Sequence, residues 1–229
     1  MDSGYVAGLG HADRSQGRRH HYRRSGGFDC TSQEAGVAIG LAPALLLIDL
    51  QKAIDDPYWA REGPRNNPDA ERAALQLLTA WRETGRPVYH VRHDSAEPQS
   101  TYRPGQPGNE FKSGFEPRPG EDLIVKHTGS AFVGTPLEQM LRRRGLASLV
   151  VAGVITNNSV ETSVRHAATL GFRVTLVEDA CFTFARRDWN GVLRSAAEVH
   201  AMSLANLEGE YCRVATAAEI LSGRLELGV

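Results

Sequence analysis

Three side chains of this sequence stand where an open α/β sheet does its chemistry. Asp49 closes the run Leu45-Leu46-Leu47-Ile48, Lys126 closes Leu123-Ile124-Val125, and Ser159 follows the apolar stretch Leu149 to Val154. Short apolar runs of this kind read as strands buried on both faces, and ligands bind outside the carboxyl ends of such strands. A carboxylate held there out of bulk water is a usable general base; its alternative task is to cap the turn that follows. An ammonium there could favour the anionic form of a nucleophile or hold an anionic intermediate, or it could simply carry its charge back to solvent. Ser159 falls at the start of a helical pattern, where unpaired backbone N–H groups favour a developing negative charge. It is a candidate nucleophile, but Asn158 and Glu161 have the spacing of a capping box, and His166 lies about two turns along the same helix, too far to take the serine proton. Spacing alone favours the cap.

The elements that must position these residues alternate in type. Strands are predicted over 44–49, 87–93, 122–126, 149–154 and 173–179, with a last short one near 213–215. Helices are predicted over 68–84, over 136–144 with Thr135 as cap and Gly145 as stop, after Ser159, over about 191–207, and from Ala217. Repeated β-α order predicts a three-layer α/β/α domain with a doubly wound, mostly parallel sheet. Residues 94–121 form a long loop rich in Pro and Gly, of a kind that in compact domains is usually functional. Residues 1–40, with Arg18 to Arg24 set among Gly, Ser and Asp, show no apolar periodicity and read as a disordered extension ahead of a domain spanning 41–229.

Composition narrows the function classes. The 229 residues carry a formal net charge of −1, which argues against a nucleic-acid surface built on bulk charge. Cys30, Cys181 and Cys212 show no Cys-x-x-Cys spacing, so neither a disulfide framework nor a zinc site is indicated. No apolar stretch is long enough for a membrane span, and a cytoplasmic protein is the default expectation. His90 and His93 lie three residues apart on a strand and so face opposite sides; His93 is a candidate for the pocket wall and His90 for packing. Trp59, Phe132 and Phe182 are candidate apolar walls, although aromatic residues near loops often belong to the core.

Several separated motifs together resemble the isochorismatase-like cysteine hydrolases. They are Leu45 to Gln51, His90-Val-Arg-His93, Arg103-Pro-Gly-Gln-Pro-Gly108, Lys126 followed by Ser130-Ala131-Phe132 and Gly134 to Glu138, Gly153 to Glu161, Val177-Glu-Asp-Ala180, and Glu198 to Leu207. The resemblance covers about Pro43 to Leu221. It implies a triad of Asp, Lys and Cys at the strand ends. Asp49 and Lys126 match the first two, whereas the cysteine of Thr-x-x-Cys-Val falls on Ser159. It further implies a cis peptide at Val154–Ile155 that lets the backbone N–H groups of Ile155 and Ser159 form an oxyanion hole. The Asp-x-His motif of the metal-binding nicotinamidase members does not occur between Asp49 and Lys126, and no metal or other cofactor is expected.

In the amidase members the Asp takes the thiol proton, the thiolate attacks an amide carbonyl and the Lys stabilises the ion pair. An alkoxide is much harder to form than a thiolate, so Ser159 weakens that scheme. Ser159 is open to being a natural variant, an introduced Cys→Ser change, or the mark of a protein that binds without turnover. The leading expectation is hydrolysis of a small amide or related C–N substrate by Asp49, Lys126 and Ser159. The alternatives are hydrolysis of a vinyl ether by Asp49 without a nucleophile, and a catalytically silent binding or scaffold protein. The resemblance also implies a homo-oligomer, dimer or tetramer, acting on a small molecule. Substrate specificity is assigned to the 94–121 loop and neighbouring subunits.

Overall fold

The computed structural model describes residues 42–223. The predicted extension over residues 1–40 lies outside the described residues. Strands β1 (Ala44–Ile48), β2 (Val88–His93), β3 (Asp122–Lys126), β4 (Ser148–Val154), β5 (Arg173–Phe182) and β8 (Arg213–Ala215) form one sheet in the order β3-β2-β1-β4-β5-β8, every pairing parallel. The remaining elements are helices α1 (Ala70–Glu83), α2 (Leu137–Arg143), α3 (Glu161–Thr169), α4 (Ala196–Ala205) and α5 (Ala217–Leu221), and a small antiparallel hairpin of β6 (Arg186–Arg187) and β7 (Leu193–Arg194).

The two faces of the sheet carry separate hydrophobic layers, and the period of two along each strand sorts side chains between them. Leu45, Leu47, Val150 and Ala152 pack with Ala70, Ala74, Leu77, Leu78 and Trp81 of α1 and with Ile220 of α5. Leu46, Ile48, Leu149 and Val151 pack on the other face with Leu137 and Leu141 of α2 and Val164 and Ala167 of α3. The buried positions of α1, at 70, 73, 74, 77, 78 and 81, follow the helical period, and Trp81 Nε1 donates to the Pro43 carbonyl at 2.9 Å. This is the three-layer α/β/α arrangement the alternating pattern predicted.

Strand order reverses between β1 and β4, so a crevice opens beyond their carboxyl ends. Gly153 allows the two strands to approach there: a Cβ on it would lie 2.2 Å from the Ile48 carbonyl oxygen, and its φ is +134°. The register of β4 with β5 shifts between Val151 and Gly153, and pairing resumes at Cys181 and Phe182. That irregularity carries β5 three residues past the predicted end at Asp179.

The predicted long helix from Gly191 to Leu207 is corrected. Residues 188–194 form the turn and second strand of the hairpin, with Asp188 Oδ1 accepting from Asn190 N at 2.9 Å and Val192 N at 3.0 Å and Asp188 Oδ2 accepting from Arg194 at 2.8 Å. Helix α4 begins only after Ser195, which forms a reciprocal capping box with Glu198. The capping box predicted at Asn158 and Glu161 is also absent. Residues Thr156–Val160 form a single π turn before α3, and the Glu161 carboxylate instead accepts from Ser203 Oγ at 2.6 Å and from Arg165 at 2.8 Å.

Candidate active site

Asp49 is the first residue beyond β1 and adopts a positive φ of 53°, a conformation that Asp tolerates better than most residues. The turn is fixed by backbone bonds from Asp49 N to the Val91 carbonyl and from Gln51 N back to the Asp49 carbonyl, at 3.0 and 2.8 Å. Gln51 braces the adjoining strand end, donating from Nε2 to the His93 carbonyl at 3.0 Å and accepting from His93 N at 2.7 Å. The ends of β1 and β2 are thus set in one position relative to each other. On the far side of β2, Lys126 ends β3 in register with His93.

Lys126 is 1 % exposed, and its ammonium does not return to solvent. Its Nζ lies 2.8 Å from Asp49 Oδ2, donates to Ser159 Oγ at 3.2 Å and donates to the Thr128 carbonyl at 3.0 Å. With His93 Nδ1 a fourth and longer neighbour at 3.5 Å, the three hydrogens of the ammonium are fully engaged. The second Asp49 oxygen, Oδ1, is buried and has no partner among the described residues. The three strand-end residues therefore converge on one point, with Lys126 at the centre and one carboxylate oxygen uncommitted.

Ser159 sits in the π turn Thr156–Val160, 8 % exposed, and not at the N-cap of α3. The Val154–Ile155 peptide that leads into the turn is cis. The turn is held from behind by α4 and by the first turn of α3. Thr156 Oγ1 and His200 Nδ1 are 2.9 Å apart, and Ser163 Oγ donates to the Ser159 carbonyl at 2.7 Å. Burial holds His200 below the ordinary imidazole value, which keeps it neutral as a hydrogen-bond partner at neutral pH.

Above these groups lies a cavity of about 330 Å³ lined by Asp49, Trp59, His93, Tyr102, Ile155 and Ser159, among others. Of the pocket walls predicted from sequence, His93 and Trp59 take part. His93 Nδ1 is 3.5 Å from Lys126 Nζ, and burial and then the Lys126 charge lower its pKa against the opposing pull of Asp49 and Asp94. A neutral imidazole beside an ammonium follows. Phe132 and Phe182 do not line the cavity, which corrects their predicted place. Phe132 packs against His166 and Phe172 under the sheet's second face, and Phe182 is fully buried against Phe184 beneath the Arg65 guanidinium. His90, expected to pack, is fully buried with Nε2 2.8 Å from Glu121.

Several lining residues had not been singled out from the sequence. The long loop supplies Ser95, Glu97, Ser100 and Tyr102, and the segment after β3 supplies His127, Thr128 and Gly129. Tyr102 is buried among them, and its hydroxyl is pushed well above the ordinary phenol value by burial and then by the charges of Asp49 and Asp55. The loop's length was the one usable signal. The individual residues carried none. Among the described residues no group of three His, Cys, Asp or Glu side chains is placed to hold a metal ion, and no helix is long and apolar enough to cross a membrane.

Comparison with known proteins gives a consistent result. The family model described as the isochorismatase domain matches residues 43–219. A crystal structure of an isochorismatase-family protein from Chromobacterium violaceum is 62% identical, covers 80% of this chain and 94% of its own, and superposes with a TM-score of 0.76. The isochorismatase family protein YrdC of Bacillus subtilis is 36% identical over 179 residues, 78% of this chain and 94% of its own length. Ureidoacrylate amidohydrolase RutB of an Enterobacter strain is 28% identical over 183 residues, 76% of this chain and 72% of its own length.

Proposed function

Because this chain belongs to the isochorismatase family, whose members are hydrolases, we propose that it hydrolyses a small amide or related C–N substrate in the cavity above Asp49, Lys126 and Ser159. The observation that carries the reading is the buried Lys126 ammonium shared between the Asp49 carboxylate at 2.8 Å and Ser159 Oγ at 3.2 Å. The similarity to a protein named as an amidohydrolase supports the C–N bond as the target. Ser159 Oγ attacks the amide carbonyl carbon and its proton passes to Asp49, whose Oδ1 is uncommitted. Lys126 stabilises the oxygen anion as it forms, and the backbone N–H groups of Ile155 and Ser159 receive the carbonyl oxygen as it becomes an oxyanion. The proton on Asp49 goes to the departing amine. Water then attacks the acyl-serine, giving its proton to Asp49, and the acid leaves as the serine regains its hydrogen.

A second reading draws on the same carboxylate. Asp49 and Ser159 share no hydrogen bond among the described residues, while Asp49 Oδ1 is buried and free. Asp49 in its protonated form could therefore deliver its proton to the carbon of a vinyl ether, water adding to the resulting oxocarbenium ion and returning a proton to Asp49, and the hemiketal so formed then releasing the alcohol to leave a carbonyl, with Ser159 a bystander. Ser159→Ala separates the two on a panel of small amides and enol ethers. The amide reading predicts that amide turnover falls by about 10³-fold or more. Undiminished amide turnover in Ser159→Ala would sink it, and turnover of an enol ether alone, retained in that variant, would establish the second reading. A silent binding protein would instead show no turnover until Ser159→Cys supplied a thiol. Exposed apolar side chains of the hairpin and α4, Trp189, Val192, Leu193 and Met202, support the reading of the chain as a homo-oligomer.

A further inference from the structure

A second cavity of about 380 Å³ adjoins the first and shares Trp59, Ile155 and Asn158 with it. Its lining is partly aromatic: Trp59 and Phe184 lie 6.4 Å apart between ring centroids, and the exposed Tyr58 meets Trp59 edge-on at 5.6 Å. Its outer part carries Arg61, Arg186 and Arg187 against a single carboxylate, Glu62. That carboxylate is 3.4 Å from Arg187. Among the described residues Arg61 and Arg186 pair with no carboxylate, and Arg61 Cζ lies over the Tyr58 ring, 4.1 Å from its centroid. Local charge is thus +2 on a chain whose net charge is −1, so the arginines are a local concentration and not a sample of a basic surface. The three come from two segments, 58–62 and 183–187, brought together only by the fold.

The threshold between the cavities is functional in its own right. Ile155 provides the N–H assigned above to the oxyanion, so a substituent on the reacting carbonyl that crosses Trp59 and Ile155 enters the arginine-lined space. The first cavity, by contrast, holds Glu97 and an Asp49 whose charge is balanced by Lys126, so it carries no excess of positive charge. A ligand with a neutral reacting end and an anionic far end matches that polarity from one cavity to the other. Planar guanidinium forks suit the two oxygens of a carboxylate. We propose that Arg61, Arg186 and Arg187 form a carboxylate subsite, and that the substrate class is small amides carrying a carboxylate at the end remote from the scissile bond. This rests on the amide-hydrolase reading of the first cavity.

Titration calorimetry of the full chain with succinamate, glutaramate and adipamate, each against its neutral diamide, tests the subsite without requiring turnover. The proposal expects at least one monoacid to bind about tenfold more tightly than its diamide, and that preference to shrink as salt is raised. Arg61→Gln with Arg186→Gln should remove the preference, while Arg61→Lys with Arg186→Lys should restore part of it; both sites are exposed, and circular dichroism checks that the variants fold. Equal affinity for acid and diamide, a preference that survives the double glutamine variant, or no binding of any monoacid overturns it. Ammonia release, measured on the same compounds, keeps the two readings apart. Charge-dependent binding without ammonia leaves the subsite standing and removes the amide reading, whereas ammonia released equally from acid and diamide does the reverse.

Discussion

Replacing Lys126 by methionine tests whether the buried ion pair organises the site. Lys126 and Asp49 approach to 2.8 Å with side chains 0% and 5% exposed. At that separation and an effective dielectric of about 20, their attraction is about 6 kcal/mol, most of it offset by the cost of removing both charges from water. The methionine side chain would fill much the same volume but leave Asp49 buried, with Oδ1 already unpartnered and Oδ2 newly so. The cost of breaking one side of such a pair is about 3–5 kcal/mol, which for a domain of this size lowers Tm by roughly 6–20 °C. Asp49→Asn in the same background removes the stranded charge, so the double variant should regain part of that loss, with a coupling energy of about 2–3 kcal/mol. Urea midpoints of the parent, the two single variants and the double variant close the cycle. Additive effects, or a Lys126→Met protein as stable as the parent, would show that the pair is not held in the buried geometry described.

Two further predictions follow from packing and titration. Gly153→Ala places a Cβ 2.2 Å from the Ile48 carbonyl oxygen and 2.7 Å from Ile48 N at a φ of +134°; since both neighbours are backbone, the variant should lose more than about 4 kcal/mol, read as loss of soluble protein or of the urea transition, and an unchanged midpoint would refute the close approach of β1 and β4. On acidification, His90, His93 and His200, all held by burial below the ordinary 6.5, take up protons in the unfolded chain first. Their contribution to stability is therefore present above pH 6.5 and is lost as the pH falls below it. Glu71 and Glu121 follow: burial alone would raise them, but Arg65 and Lys112 hold Glu71, and Arg82 with the Arg118 N–H holds Glu121, at about 2 against an ordinary 4.5. Their contribution is present above 4.5 and is lost as the pH drops towards 2. The urea midpoint should decline below about 6.5 and more steeply below about 4.5; a midpoint that rises between about pH 6.5 and about pH 5 contradicts the histidine environments.

The features legible in the sequence are those set by local pattern. β3 and β8 begin and end where alternation and apolar content placed them, and Asp49 and Lys126 were found because a charged residue closing an apolar strand is conspicuous. Ser159 was placed correctly beyond β4 but its local structure was not, because a π turn differs from an α-helical start by one residue and no side-chain pattern announces it. Val192 and Leu193 looked like the first turn of α4. Asp188, which ties residues 188–194 into a hairpin, has a role that appears only once Arg194 and two backbone N–H groups fold back onto it. Phe132 and Phe182 followed catalytic motifs closely enough to suggest a pocket, yet the faces on which they emerge direct them into the two cores. The arginine-lined cavity was illegible for a different reason. Its two segments lie far apart in the chain, at 58–62 and 183–187, and nothing in either points to the other.

What a serine in this position requires bears directly on what Lys126 does. A thiolate is a moderately stable anion and needs a lysine chiefly as a neighbour; an alkoxide needs its charge met at every stage of formation. Here Ser159 Oγ already accepts from a fully buried ammonium at 3.2 Å, and the other hydrogens of that ammonium are anchored on Asp49 and on the Thr128 carbonyl. The ammonium already faces Oγ, where charge would develop, and its burial makes that one contact stronger than it would be in water. If Ser159 were only a structural hydroxyl, α3 would be the place to look for its role. Ser159 makes no side-chain cap on α3, and its oxygen accepts from the lysine beside the cavity instead. The same lysine also keeps Asp49 oriented by one oxygen and leaves the other at the cavity floor. A base with one oxygen fixed by the lysine and the other uncommitted is what the proposed amide hydrolysis asks of Asp49.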